Sequence, residues 1–125
     1  MSAVPIGKRT WAFAAGFVPA HGTGPEPAFT SRDQFGILNA GDVLANLRLE
    51  VIYADRDPVP GYRIGIAPRR MRSLRVNDLI FPEAVRLESA YGLVWRSDQP
   101  VVVQLVRQDT RAAALAGMMA TAWPG

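Results

Sequence analysis

Strict alternation of apolar and polar residues is the feature that most limits how this chain can fold. In ANLRLEVIYAD the two sets alternate, with Leu47, Leu49, Val51 and Tyr53 on one face and Asn46, Arg48 and Glu50 on the other. Side chains two residues apart share one face of a β-strand, whereas a helix would require a period of 3.6. The segment therefore predicts a strand with one face buried.

Several other segments repeat this alternation and are separated by turn-forming residues. The further candidate strands are RTWAFAAGF, QFGILNAG, GYRIGIAP and SLRVND. The longer segment YGLVWRSDQPVVVQLVRQD predicts two strands, Tyr91–Arg96 and Val101–Arg107. Because Ser97–Pro100 begins with turn-forming residues and ends in proline, we expect it to form a hairpin between them.

The last candidate elements lie in TRAAALAGMMATAWPG. We expect a helical turn within Ala113–Met119, followed by a closing strand within Met118–Trp123. About seven or eight short strands with turns between them predict an all-β fold, an antiparallel β-sandwich. At this length we expect one domain that occupies residues 1–125.

The composition is that of an ordinary globular protein and excludes some kinds of site. Apolar residues make up 49% of the chain and charged residues 20%. The absence of cysteine excludes disulfide bonds and thiolate metal sites. Lys8 and Arg9 precede the short apolar run Trp11–Val18, which superficially resembles a secretion signal but contains Gly16. No stretch reaches the roughly 18 apolar residues that a membrane-spanning helix needs.

The positive charge is concentrated in one segment. Residues 61–77 hold five of the 14 basic residues and none of the 11 acids, so the rest of the chain carries a charge of −2. Four of these arginines stand within seven residues: Arg69, Arg70, Arg72 and Arg75. A localised excess of this kind attracts anions better than a diffuse one.

Three uses are open for this arginine segment, IAPRRMRSLRVND. It can be the solvated outer face of a sheet, it can contact the phosphates of a nucleic acid, or it can contact another subunit or an acidic protein. In each case we expect a strand in which Leu74 and Val76 face the core and Arg70 and Arg72 share a face, with Arg69 at the turn.

Catalytic residues are scarce, and a non-enzymatic protein without metal or cofactor is expected. The single histidine is His21, no Gly-x-Ser-x-Gly motif occurs, and the acids show no metal-ligand spacing. The loop HGTGPEP is nonetheless unusual. His21 and Glu26 are candidate polar contacts for a ligand, and Trp11 or Phe29 is a candidate stacking face for a sugar or base. An ordinary long loop is the alternative.

Further polar positions are candidates for ligand binding. In VQLVRQDTR, Arg107, Asp109 and Arg111 lie on one side while the strand persists. Arg107 is a candidate anion-binding fork, and a surface ion-pair ladder is the alternative. Asn39 stands where a turn is expected and is kept as a further ligand-binding candidate.

The order of these segments resembles the soluble sensory rhodopsin transducer family over Arg9–Trp123, nearly the whole chain. HGTGPEP followed by ILNAGD and RVNDL is the most specific part. The positions that match the family pattern are Trp11, Gly22, Gly24, Glu26, Asn39, Asp42, Arg69, Arg70, Arg75, Asn77, Asp78, Gln104, Arg107, Asp109 and Arg111. The chain departs from that pattern at Pro68 and in the segment MRS that follows the arginine pair.

This resemblance implies a jelly-roll type of β-sandwich, assembly as a homotetramer and a cytoplasmic location. It implies that residues 10–18 form the first strand and not a signal. It also implies a non-enzymatic signalling protein that binds a ligand or a partner, such as a microbial rhodopsin or another signalling protein. DNA binding has been proposed for members, and their fold is similar to carbohydrate-binding domains.

Two alternative functions remain beside that leading hypothesis. The first is a weakly sequence-specific DNA-binding regulator, which would use the strand that carries Arg69, Arg70, Arg72 and Arg75. The second is a module for a small carbohydrate or phosphate ligand, which would use Trp11, His21, Glu26, Arg107 and Asp109 on one rim.

Overall fold

The structure is a computed structural model that describes residues 5–18, 32–109, 116–121 and 123–124. It describes the backbone alone at residues 15, 32, 107–109, 116–121 and 123–124. These residues form eight strands and one 3-10 helix: β1 Lys8–Gly16, β2 Arg32–Asn39, β3 Ala45–Tyr53, β4 Val59–Ile66, β5 Arg70–Arg75, η1 Val76–Asp78, β6 Tyr91–Asp109, β7 Ala116–Thr121 and β8 Trp123–Pro124.

Every strand pair is antiparallel, which confirms the predicted all-β antiparallel class. The strands form two half-sheets that share β6. The first half-sheet has the order β4-β3-β6-β1-β8, and the second has the order β5-β2-β6-β7. β6 pairs with β3 and β1 near its start and with β2 and β7 near its end, so the sheet curls around one core.

The hairpin predicted over Ser97–Pro100 is wrong, because β6 continues through it as a single strand of 19 residues. Pairing with β3 ends at Ser97, and pairing with β2 begins at Val102. Pro100 lies in this crossing between the two partners, where its missing N–H costs no bond to either of them. The buried positions also keep the same phase on both sides of the crossing, which a continuing strand requires.

The C-terminal prediction is partly wrong. A helical turn is expected within Ala113–Met119, but Ala116–Thr121 is strand β7 and pairs with the end of β6. Residues 113–115 lie outside the described residues. The closing strand is confirmed in that region, and β8 adds a second short pairing with β1. The alanine and methionine content indicated a helix locally, and pairing with an existing strand overrides that preference.

The core lies between the two half-sheets and is centred on three aromatic rings. Phe35 of β2 is fully buried and contacts Phe13 of β1 edge-to-face, with ring centroids 4.7 Å apart. It also contacts Trp95 of β6 at 4.9 Å. The predicted inward face of β3 is confirmed, because Leu47, Leu49, Val51 and Tyr53 are all buried. The aromatic cluster therefore joins strands of both half-sheets.

A buried carboxylate fastens the end of β1 to the core. Asp33 is fully buried, and its Oδ2 accepts hydrogen bonds from the Tyr91 hydroxyl at 2.6 Å and from the Phe17 backbone N–H at 2.9 Å. The ring of Tyr91 lies against Gly16, where a Cβ atom would come within 2.2 Å of it. Glycine is therefore required there by the close approach of the ring.

Among the residues that the structure describes, no helix is long and apolar enough to cross a membrane.

Candidate functional site

The arginine segment forms edge strand β5 and the turn before it. Arg69 adopts a positive φ of 57° at this turn, where its backbone N–H donates to the Gly41 carbonyl at 3.1 Å. Its guanidinium donates to the Ala40 carbonyl at 2.8 Å. Val76 is fully buried and Leu74 packs against the core, as expected, although Val76 lies in the 3-10 helix and not in the strand.

The four guanidiniums of this segment are turned back onto the chain itself. Arg70 donates to the carbonyl of Arg69 at 3.0 Å, and Arg72 donates to the Gly65 carbonyl of β4 at 3.4 Å. Arg75 forms an ion pair with Asp78 at 3.0 Å. Arg70 and Arg72 do share a face of β5, since their neighbours across the ladder, Asn39 and Ile37, are both buried. Their contact with a polyanion stays a prediction.

Of the candidates for a sugar-binding rim, Trp11 is the one whose side chain the structure describes. Trp11 is 8% exposed, and its indole N–H donates to the backbone carbonyls of Val101 and Lys8 at 2.9 and 3.1 Å. Its ring is therefore used in packing. Arg107 and Asp109 are among the last residues of strand β6, where the backbone alone is described. His21, Glu26 and Arg111 lie outside the described residues.

Asn39 is a buried strut between two loops. Its side-chain NH₂ lies 2.9, 3.1 and 3.3 Å from the carbonyl oxygens of Val43, Ile66 and Ala67, and its Oδ1 accepts from the Gly41 N–H at 3.0 Å. The expected turn is thus confirmed, with the amide fastening it to the end of β4. A hollow of about 440 Å³ lies beside this turn and is bounded by Arg9, Asp42, Arg69 and Gln99, among others.

A second group of arginines, not singled out from the sequence, lies on the outer face of the first half-sheet. Arg48 on β3 is the direct cross-strand neighbour of both Arg63 on β4 and Arg96 on β6. All three side chains are exposed. Neighbouring strands are about 4.8 Å apart, so this arginine row spans about 10 Å. Each arginine stands on the polar face of a recognisable strand, but the register that aligns them is not readable from alternation.

Two carboxylates border the arginine row, one on each side. Glu50, two residues after Arg48, has its Oε1 3.9 Å from the Nη1 of Arg96. Asp98, two residues after Arg96, accepts hydrogen bonds from the backbone N–H and the side-chain amide of Asn46 at 2.8 and 3.0 Å. Within the described chain, no carboxylate lies within ion-pair distance of Arg48 or of the third arginine of the row.

The arginine row forms the floor of a groove. One hollow, of about 600 Å³, is lined by the three arginines with Asn46, Gly65 and Asp98 among others. A second, of about 370 Å³, shares the same three arginines and extends to Glu50, Pro60 and Gly61. Gly65 keeps the groove open, because a Cβ atom there would contact only Leu44 at 3.9 Å.

The hydrogen bonds from Asn46 also set the ionisation of Asp98. The backbone N–H of Asn46 is the main cause that lowers the pKa of the Asp98 carboxyl, and the side-chain amide of the same residue adds to it. Both bonds favour the charged carboxylate.

The described residues contain no cluster of three or more His, Cys, Asp or Glu side chains that could hold a metal ion.

These features define a small antiparallel all-β protein with an arginine-lined groove on one outer face. Over residues 6–124 the chain matches the family described as Anabaena sensory rhodopsin transducer, and it belongs to that family. The family resemblance recognised in the sequence is thereby confirmed. A comparison with curated protein sequences finds no match.

The solved structures that are similar to this chain include the following two. The Anabaena sensory rhodopsin transducer is 37% identical, with a TM-score of 0.74 over 82% of this chain and 97% of that chain. Thermotoga maritima 1070 is 28% identical, with a TM-score of 0.82 over 95% of this chain and 96% of that chain.

Substitution of Asn39 tests its role as a strut. Asn39→Ala removes the donor that faces the carbonyls of Val43, Ile66 and Ala67, and we expect the free energy of unfolding to fall by about 1–3 kcal/mol. Asn39→Asp should lower it at least as much, because a carboxylate would then face carbonyl oxygens. Urea unfolding at fixed protein concentration measures both. The exposed control Gln104→Ala should change the value by less than about 0.5 kcal/mol, and an equally small change in Asn39→Ala would contradict the role.

The pH dependence of Asp98 gives a second test. Since its pKa is lowered in the folded state, its hydrogen bonds stabilise the fold at pH values above the ordinary carboxylate range, and this contribution is lost as the pH falls through the folded pKa. Asn46→Ala keeps the backbone donor and removes the amide. We therefore expect a partial rise of the Asp98 pKa, measured by NMR titration of the carboxyl carbon. Arg72→Ala is the control, and an unchanged pKa in Asn46→Ala would refute the assignment.

Proposed function

We propose that this protein is a non-enzymatic signalling adaptor of the cytoplasm, which relays a signal from a sensory rhodopsin or another signalling protein by binding it. The observation that carries the proposal is the family match over residues 6–124, with 37% identity to a solved protein named as a sensory rhodopsin transducer. A single jelly-roll domain over residues 1–125, without metal or cofactor, is part of the proposal.

An exposed apolar tip supports the partner-binding role. In the segment between η1 and β6, Ile80 and Phe81 are 70% and 83% exposed, and they are adjacent in the chain. Exposed apolar side chains that are grouped rather than scattered are typical of protein contact sites. Aromatic residues are also enriched among those that dominate binding energy at such sites. We therefore assign this tip to the contact with the partner.

Binding to a microbial sensory rhodopsin reconstituted in nanodiscs tests the adaptor role. We expect a saturable complex by calorimetry, and we expect Ile80→Ser with Phe81→Ser to weaken it by at least about tenfold through loss of apolar burial. Leu87→Ser, on the same segment and 47% exposed, is the matched control. Absence of binding in light and in darkness would count against a rhodopsin partner, and equal losses in control and double variant would refute the tip.

The proposal includes a homotetramer, and an apolar row on the outer face of the second half-sheet supports a subunit contact. Leu38 of β2 is the cross-strand neighbour of Met71 of β5 and of Val102 of β6. Leu38 is 41% exposed and Met71 60%. Val106 lies four residues after Val102 on the same face of β6 and is 43% exposed. Such a row can bury apolar area against a second subunit.

Light scattering after size-exclusion chromatography tests this assembly. We expect the mass of four 13.6 kDa chains for the wild-type protein and a shift towards smaller species in Met71→Glu, because a buried unpaired charge opposes the contact. Met71→Leu keeps the apolar surface and should keep the tetramer. A wild-type monomer at micromolar concentration would contradict the tetramer, whereas a Met71→Glu tetramer would contradict only this face.

The two alternative functions have less support from the geometry. Nucleic-acid binding through β5 would require the guanidiniums of Arg69, Arg72 and Arg75 to leave partners they already contact. A carbohydrate rim that includes Trp11 would require its buried ring to become accessible. Both remain secondary to the adaptor.

A further inference from the structure

We propose that the arginine row is a binding site for a small molecule that carries two phosphate groups, with Arg48 as its central contact. The site lies on β3, β4 and β6, apart from β5, the apolar tip and the apolar row. It is therefore independent of the adaptor role, and either can fail without the other.

The first argument is the electrostatic cost of the row. Like charges placed directly opposite each other on antiparallel strands destabilise a sheet. Arg48 has such a neighbour on both sides, Arg63 and Arg96. A sheet that only needed solubility would alternate the signs of these residues, as surface ladders commonly do. Glu50 is within ion-pair distance of Arg96 but not of the other two arginines. An anion placed over the row therefore supplies the countercharge that Arg48 and Arg63 lack, and turns the repulsion into a favourable interaction.

The second argument is shape. The two hollows over the row share all three arginines, and the larger has a volume of about 600 Å³, within the range of small-ligand sites. Gly65 leaves the groove open beside Arg63 and Asn46. Guanidiniums bind phosphate through two parallel hydrogen bonds, so three of them in a row of about 10 Å can hold two phosphate groups at once.

The third argument separates a small ligand from a nucleic acid. The row is bordered on one side by Glu50 and on the other by Asp98. A long polyanion that crossed the face would bring its next phosphates towards these carboxylates, which repel them. A small ligand confines its phosphates to the row. Its hydroxyl groups can then donate to the same two carboxylates.

Calorimetric titration at low ionic strength, where such charges are least screened, tests the site. The probes are inorganic pyrophosphate, ADP and a hexose bisphosphate. Pyrophosphate carries the paired phosphates alone, whereas the other two carry them on a nucleoside and on a sugar. We expect pyrophosphate to bind, at least one organic probe to bind more tightly, and single inorganic phosphate to bind more weakly. Arg48→Ala should reduce pyrophosphate affinity by about 10- to 100-fold, since it removes charge-assisted hydrogen bonds. Arg48→Lys should lose less, because it keeps the charge without the fork.

Arg70→Ala is the matched control, because it removes an exposed arginine of β5 that donates to the Arg69 carbonyl and not to the groove, and it should leave pyrophosphate affinity unchanged. Melting curves exclude a folding artefact: free Arg48→Ala should melt no lower than the wild-type protein. Pyrophosphate should raise the melting temperature of the wild-type protein and of the control, but not that of Arg48→Ala. No binding of pyrophosphate by the wild-type protein would overturn the proposal. So would an equal loss in Arg70→Ala, or duplex DNA that binds through Arg48 and displaces pyrophosphate.

Discussion

Strand β6 is the constraint on which the rest of this structure depends. It pairs with β3 and β1 over its first residues and with β2 and β7 over its last, so four other strands take their register from it. The crossing at Ser97–Pro100 is what allows one strand to serve two half-sheets. Because the buried positions keep their phase through the crossing, Trp95 and Val101 reach the same core from opposite ends of it.

Alternation along the chain was sufficient to predict most strands but not how they continue. β3 is predictable because Leu47, Leu49, Val51 and Tyr53 stand at every second position and all four are buried. Ser97–Pro100 was misjudged because serine, aspartate and proline have the local preferences of a turn. Tertiary pairing overrides that local preference: β3 pairs with β6 up to Ser97, β1 pairs again at Val101 and β2 begins at Val102, so the chain stays extended through the crossing.

The candidate site also shows that local sequence patterns do not predict contacts between distant strands. A run of arginines in sequence drew attention to β5, yet three of its guanidiniums contact Ala40, Gly65 or Asp78 within the protein. Asn39 was recognised as a turn residue, but the amide contacts that make it a strut join positions 27 and 28 residues apart. Contacts of this length depend on strand order, which alternation does not determine.

The arginine row exists only because of register. Arg48, Arg63 and Arg96 are 15 and 33 residues apart in the chain, so no window of charge counting brings them together. A shift of one residue in the pairing of β3 with either neighbour would place each arginine opposite a core residue and turn it to the wrong face. The burial of Leu47 and Leu49 excludes that shift. The apolar core therefore fixes the positions of the three charges, although their like sign contributes nothing to the stability of the core.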